Sequence, residues 1–124
     1  MKTEVTSRRD TLRRTLFVFF STVVLTATAF AECSALGCWS VHVEELYPEA
    51  GGGAWIKTSG NETLANCTAN SGVYLRLDGT EPGYKEIYAT LLAAQLSDKM
   101  VNIRIQEGSG NCRVLYVTLN RTTW

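Results

Sequence analysis

The sequence predicts a small, mainly β (α+β) domain: a five-stranded OB-type barrel with one helix between its third and fourth strands, following a cleaved signal peptide. Three observations predict this class: an apolar leader, one stretch with helical spacing, and five strand-like runs around that stretch. Three strands, a helix and two strands is the element order of the OB barrel. A ferredoxin-like sandwich would need a second, earlier helix, and no helical period occurs between Cys38 and Cys67.

The leader has the features of an export signal. Two arginine pairs precede an uncharged apolar run from Leu16 to Phe30, which ends in the small-x-small sequence Ala29-Phe30-Ala31. The alternative is a transmembrane anchor, but 15 residues are short for a spanning helix. We therefore predict a signal peptide at 1–31 and an OB-fold domain at 32–124. The mature protein would be secreted or periplasmic, without stable membrane insertion.

Charge excludes one class of partner. The 93 residues after position 31 carry seven basic and ten acidic side chains, a net charge of −3. Binding to a phosphate backbone needs clustered Lys and Arg, so we predict no nucleic-acid partner.

All four cysteines lie beyond the predicted cleavage site, where the compartment is oxidising. Of the three possible pairings we favour Cys67–Cys112, because Cys67 precedes one strand-like run and Cys112 opens another. Cys33 and Cys38 would then close a small N-terminal loop. In the zinc alternative these two cysteines supply ligands, but a second pair is missing and His42 lies in a strand pattern. We predict no metal and no cofactor.

The single helix is predicted from Tyr84 to Leu96, with Thr80 as its N-cap. Five strands are predicted from segments in which apolar and polar residues alternate or in which apolar residues run together. The last of these segments is apolar on both faces, which favours a central position in the sheet. The large apolar residues on one helical face are Tyr84, Ile87, Tyr88, Leu91, Leu92 and Leu96. The predicted strands are Cys38–Glu44, Ala54–Thr58, Val73–Leu77, Val101–Gln106 and Cys112–Leu119.

Four segments carry a resemblance to a known family. They are Gly72-Val73-Tyr74-Leu75-x-Leu77, Tyr88-Ala89-x-Leu91-Leu92-Ala93-Ala94-Gln95, Val101-x-Ile103-Arg104-Ile105 and Cys112-x-Val114-x-Tyr116-Val117. This pattern resembles small exported bacterial proteins similar to the cell-binding B subunit of subtilase cytotoxin. The resemblance implies an OB barrel, a Cys67–Cys112 bridge and ring-forming homo-oligomers that bind glycans. It supplies no sugar-contacting residue for this chain, and Cys33 and Cys38 are not part of the pattern.

A candidate ligand surface lies on the second and third predicted strands. Trp55, Lys57, Tyr74 and Arg76 alternate with core residues and should share an outer face. Aromatic rings stack on sugars, while Lys and Arg donate to hydroxyl or carboxylate groups. The alternative is an exposed cross-strand ladder that only stabilises the sheet.

The sequence offers little support for a catalytic site. Ser40, His42 and Glu44 alternate onto one strand face, but residues two apart on a strand are separated by about 7 Å, too far for a direct Ser–His hydrogen bond. Glu44 and Glu45 are expected on opposite faces, which excludes a catalytic carboxylate pair. We therefore predict no enzymatic activity.

The prediction for function is a non-catalytic exported binding module that recognises a glycan or protein surface, resembling a toxin cell-binding subunit. The alternative is a structural or inhibitory interaction protein of the bacterial envelope. A homo-oligomer is expected in the first case.

Overall fold

A computed structural model describes residues 31–121 of the chain. The predicted signal peptide therefore lies almost entirely outside the described residues, as do the last three residues of the predicted domain. Within 31–121 no helix is long and apolar enough to cross a membrane.

The described chain contains seven strands, one α-helix and one short 3-10 helix. The strands are β1 (Glu32–Ser34), β2 (Gly37–Val41), β3 (Val43–Pro48), β4 (Ala54–Thr58), β5 (Leu75–Leu77), β6 (Val101–Ile105) and β7 (Val114–Leu119). The α-helix, α1, is Tyr84–Leu96, and the 3-10 helix is Glu62–Leu64.

The strands form two antiparallel sheets, and the predicted five-stranded barrel is wrong. One sheet has the order β1-β2-β6-β7 and the other β3-β4-β5, so α1 lies between the fifth and sixth of seven strands. Among the described residues the sheets do not close into a barrel. Between β5 and β7 there is an isolated bridge, Arg76–Arg113, instead of a continuous ladder.

The first predicted strand is in fact two strands that belong to different sheets. Ser40 has a positive φ of 53°, and the pairing of β2 with β6 shifts register between Cys38 and Val41. This irregularity ends β2 at Val41, and β3 begins at Val43 after His42. The alternation that predicted one strand continues across the break, because Val41 and Val43 are both buried.

Strand β1 had not been predicted; it forms a hairpin with β2. Three further local predictions are corrected. β7, expected at a central position, lies at the edge of its sheet. Val73 does not belong to β5, because a turn in which Asn70 donates its backbone N–H to the Tyr74 carbonyl precedes the strand. Thr80 is not the N-cap of α1: the cap is Gly83, and both the N–H and the hydroxyl of Thr80 donate to Asp78.

The core fills the space between the two sheets and α1. Its largest fully buried side chains include Ile56, Leu75, Leu77, Leu91, Ile103 and Ile105. The helix contacts β3 in one sheet and β7 in the other.

Both predicted disulfides are confirmed. Cys33–Cys38 joins the directly paired strands β1 and β2, and Cys67–Cys112 links residues 45 positions apart. All four cysteine sulfurs are therefore used in disulfides.

Candidate functional site

The outer face of the three-stranded sheet assembles the four predicted site residues. Along β4, Ala54, Ile56 and Thr58 are buried, which turns Trp55 and Lys57 outward. Arg76 of β5 pairs directly with Trp55. Tyr74, just before β5, reaches the same face.

Strand β3 supplies residues that the sequence analysis did not include. Tyr47 pairs with Trp55, and Glu45 pairs with Lys57. Glu49 follows β3 and points toward the same side chains. The pattern of β3 contained no separate signal for this pairing, because register across strands is a long-range contact. We call the complete set the aromatic face: Glu44, Glu45, Tyr47, Glu49, Trp55, Lys57, Tyr74 and Arg76.

Glu49 connects the two largest side chains of the aromatic face. The indole N–H of Trp55 donates to Glu49 Oε1 at 2.7 Å, and Arg76 Nη1 donates to Glu49 Oε2 at 2.6 Å. The Arg76 guanidinium also lies 4.6 Å from the centroid of the Trp55 ring, in a cation–π contact. The hydrogen bond from Trp55, followed by that from Arg76, lowers the pKa of Glu49 below its usual 4.5. The carboxylate is therefore ionised at neutral pH.

Tyr74 is oriented by two contacts with β3. Its hydroxyl donates to Glu45 Oε2 at 3.0 Å, and its ring meets Tyr47 edge to face with centroids 5.5 Å apart. The hydrogen bond to Glu45 raises the pKa of Tyr74. Tyr74 thus stays a neutral donor, with its ring held against Tyr47.

A β-bulge places two neighbouring carboxylates at the aromatic face. The pairing of β3 with β4 shifts register between Val43 and Glu45, which corrects the expectation that Glu44 and Glu45 face opposite sides. Glu44 Oε2 lies 3.2 Å from Lys57 Nζ while Glu45 binds Tyr74. The Glu44 hydrogen bond raises the pKa of Lys57.

Charge on the aromatic face is mixed and slightly negative. Three carboxylates, Glu44, Glu45 and Glu49, outnumber the two cations, Lys57 and Arg76. Each ionised carboxyl group has about four lone-pair sites, so the carboxylates can accept further hydrogen bonds after binding their partners within the face.

The alternative catalytic set is not assembled. His42 Nδ1 lies 3.2 Å from Asp98 Oδ1, the Ser40 backbone N–H donates to Asn102, and Glu44 pairs with Lys57. No hydrogen bond in the described chain joins the side chains of Ser40, His42 and Glu44. Residues 31–121 also contain no group of three or more His, Cys, Asp or Glu side chains that could hold a metal.

Comparison of the chain with models of protein families, with curated proteins and with solved structures finds no match. The resemblance to the toxin subunits therefore stays a prediction, and the site must be interpreted from its own geometry.

Proposed function

We propose that this protein is a non-catalytic, exported binding module that recognises a glycan without acidic groups through its aromatic face. The single observation that carries the proposal is the assembly of three half-buried rings, Tyr47, Trp55 and Tyr74, beside carboxylates with spare acceptor sites. Aromatic rings supply apolar area to stack on sugar C–H groups, and carboxylates accept hydrogen bonds from sugar hydroxyls.

Pre-organisation supports binding at this face. The hydrogen bonds of Glu49 and Glu45 hold Trp55, Arg76 and Tyr74 in place, so little side-chain entropy is lost when a ligand arrives. The excess of carboxylates disfavours sialylated or sulfated glycans, because like charges would meet across the interface. Export is supported by the two disulfides, which persist in oxidising compartments.

The experiment is a printed array of neutral and acidic glycans, followed by calorimetric titration of the strongest neutral glycan. We expect Trp55→Ala and Tyr74→Ala each to weaken binding by about 2 kcal/mol or more, roughly 30-fold, as for buried aromatic contacts at interfaces. Trp39→Ala is the matched control for Trp55, since Trp39 lies in the other sheet, is also half-buried and also donates its indole N–H to a side chain, Ser34.

Tyr88→Ala on α1 is the corresponding control for Tyr74 and should leave the affinity unchanged. Unchanged binding in both Trp55→Ala and Tyr74→Ala would remove the aromatic face from the proposal. Binding confined to acidic glycans would contradict the proposed ligand class, and an array with no bound glycan would favour a protein surface as the partner.

A further inference from the structure

The aromatic face contains two rows of side chains, each of which crosses the three strands of its sheet. Strand β4 lies between β3 and β5. In the first row, Glu45 of β3 pairs with Lys57 of β4, and the hydroxyl of Tyr74, just before β5, donates to Glu45 at 3.0 Å. The Tyr74 side chain therefore crosses β4 to reach a carboxylate on β3. We call Glu45, Lys57 and Tyr74 the tyrosine row.

The second row repeats this arrangement with the ring and the cation exchanged. Arg76 of β5 pairs with Trp55 of β4, lies 4.6 Å from the centroid of its ring, and donates to Glu49 at the end of β3. Here the cation crosses β4 and the ring belongs to β4, whereas in the tyrosine row the ring crosses and the cation belongs to β4. We call Trp55, Arg76 and Glu49 the tryptophan row. Each row thus contains one ring, one cation and one carboxylate.

The two rows are adjacent and form one surface. Trp55 and Lys57 are two residues apart on β4, so the rows are separated by about 7 Å along the strand. Tyr47 joins the rows, because it pairs with Trp55 while its ring contacts that of Tyr74 at a centroid distance of 5.5 Å. A molecule that extends along the strands can therefore contact both rows at once.

Both rows have hydrogen-bonding capacity beyond their internal contacts. The bonds of Arg76 to Glu49 and to the Gly52 carbonyl use two of its five N–H donors. Lys57 has three donors, and its ammonium nitrogen lies 3.2 Å from Glu44. The carboxylate of each row has acceptor sites to spare. Sugar hydroxyls both donate and accept hydrogen bonds, so either row suits a sugar.

We propose that the two rows are adjacent sugar subsites, and that the protein recognises a neutral oligosaccharide of two or more units whose chain runs along the strands. This inference rests on the proposed function, since it assigns a length and an orientation to the glycan bound by the aromatic face. A single sugar fills one row, and the next unit of the chain reaches the ring, cation and carboxylate of the other. Because the two units are joined, the second contact forms at a high effective concentration.

The test measures affinity as a function of glycan length. The probes are the strongest neutral glycan of the array, the same glycan shortened one sugar at a time, and the methyl glycosides of its single sugars. Calorimetry measures the longer probes, and NMR shift titration of the mature protein measures the short ones. We expect a disaccharide to bind the wild type about 30-fold more tightly than a single sugar, the factor expected for adding a second aromatic contact.

Two variants distinguish two subsites from one. In Trp55→Ala and in Tyr74→Ala the disaccharide should bind about as weakly as a single sugar, because only one row remains. The single sugar should lose affinity in only one of the two variants, the one that removes the row it occupies. Trp39→Ala, in the other sheet, is the control and should leave the affinities of both probes unchanged.

The outcomes separate this inference from the proposed function. A single sugar that binds the wild type as tightly as the disaccharide would overturn the two subsites and leave the proposed function standing, and this measurement does not depend on how a variant folds. Loss of single-sugar affinity in both variants would also overturn the inference, since one subsite would then contain both rings. An array without a bound neutral glycan would instead overturn the proposed function and the inference together.

Discussion

At the scale of single residues, Glu49 organises the aromatic face. Its two oxygens accept from different strands, one from Trp55 on β4 and one from Arg76 on β5. Arg76 Nη2 also donates to the Gly52 carbonyl at 3.0 Å, which ties the guanidinium to the loop before β4. One carboxylate therefore couples the orientation of an indole ring to that of the cation stacked on it.

This coupling predicts a pH-dependent contribution of Glu49 to stability. Because the pKa of Glu49 is lowered in the folded protein, its stabilising effect is present above the usual value of 4.5 and is lost as the pH falls through the folded pKa. We expect Glu49→Gln to lower Tm at pH 7, and the difference from wild type to shrink at pH values well below 4.5.

Thermal unfolding followed by circular dichroism at a series of pH values measures this difference. Trp55→Phe tests the same interaction from the other partner. It keeps an aromatic ring but removes the N–H donor that contributes most to the lowered pKa of Glu49. A Tm difference between wild type and Glu49→Gln that is the same at pH 7 and pH 3 would contradict the prediction.

At the scale of elements, α1 buries a narrower stripe than its sequence indicated. Leu91 and Ala94 are fully buried, and Tyr84, Ile87 and Tyr88 are half-buried. Leu96, expected on the buried face, is 79% exposed, because it lies at the last residue of the helix, beyond the edge of the core. The spacing of apolar residues predicted the helix correctly. Which leucines are buried depends instead on how far the core extends beneath the helix.

Leu91 and Leu96 provide a matched pair of substitutions, because one is buried and the other exposed in the same helix. We expect Leu91→Ala to lower the free energy of unfolding by about 2–5 kcal/mol, because it leaves a cavity between the helix and the sheets. Leu96→Ala, the same substitution five residues later, should change it by less than about 0.5 kcal/mol. Chemical denaturation measures the free energy of unfolding of both variants. Similar losses of stability in the two would contradict the burial of Leu91 and the exposure of Leu96 in the structure.

At the scale of the whole molecule, the two disulfides stabilise different parts of the fold. Cys33–Cys38 spans five positions within one hairpin, while Cys67–Cys112 spans 45 positions and connects the segment before β5 to the segment before β7. The long bridge therefore restricts the unfolded chain much more than the short one.

We expect replacement of Cys67 and Cys112 by alanine to lower the free energy of unfolding by about 4 kcal/mol and replacement of Cys33 and Cys38 to lower it by about 2 kcal/mol, on the chain-entropy model. Denaturant unfolding of both double variants measures the difference. A larger loss from the short bridge would contradict the prediction and would show that local packing of β1 against β2 outweighs loop closure.

The sequence by itself determined the features that depend on local pattern. Helical spacing placed α1 at its observed bounds, Tyr84–Leu96, and alternation did the same for β4 at Ala54–Thr58. Strand alternation also turned Trp55 and Lys57 outward, and the positions of the cysteines beside strands indicated the correct pairs. These results follow from side-chain direction along one element, which has a fixed period in helices and strands.

Only the tertiary structure decided how the strands associate. The kink at Ser40, the bulge before Glu45 and the edge position of β7 depend on which strands pair and in which register. Those contacts join residues far apart in the chain, and no local period encodes them. For this reason the predicted barrel became two sheets, and the aromatic face gained Glu45, Tyr47 and Glu49, residues of β3 and just after it that lie beyond the predicted first strand, Cys38–Glu44.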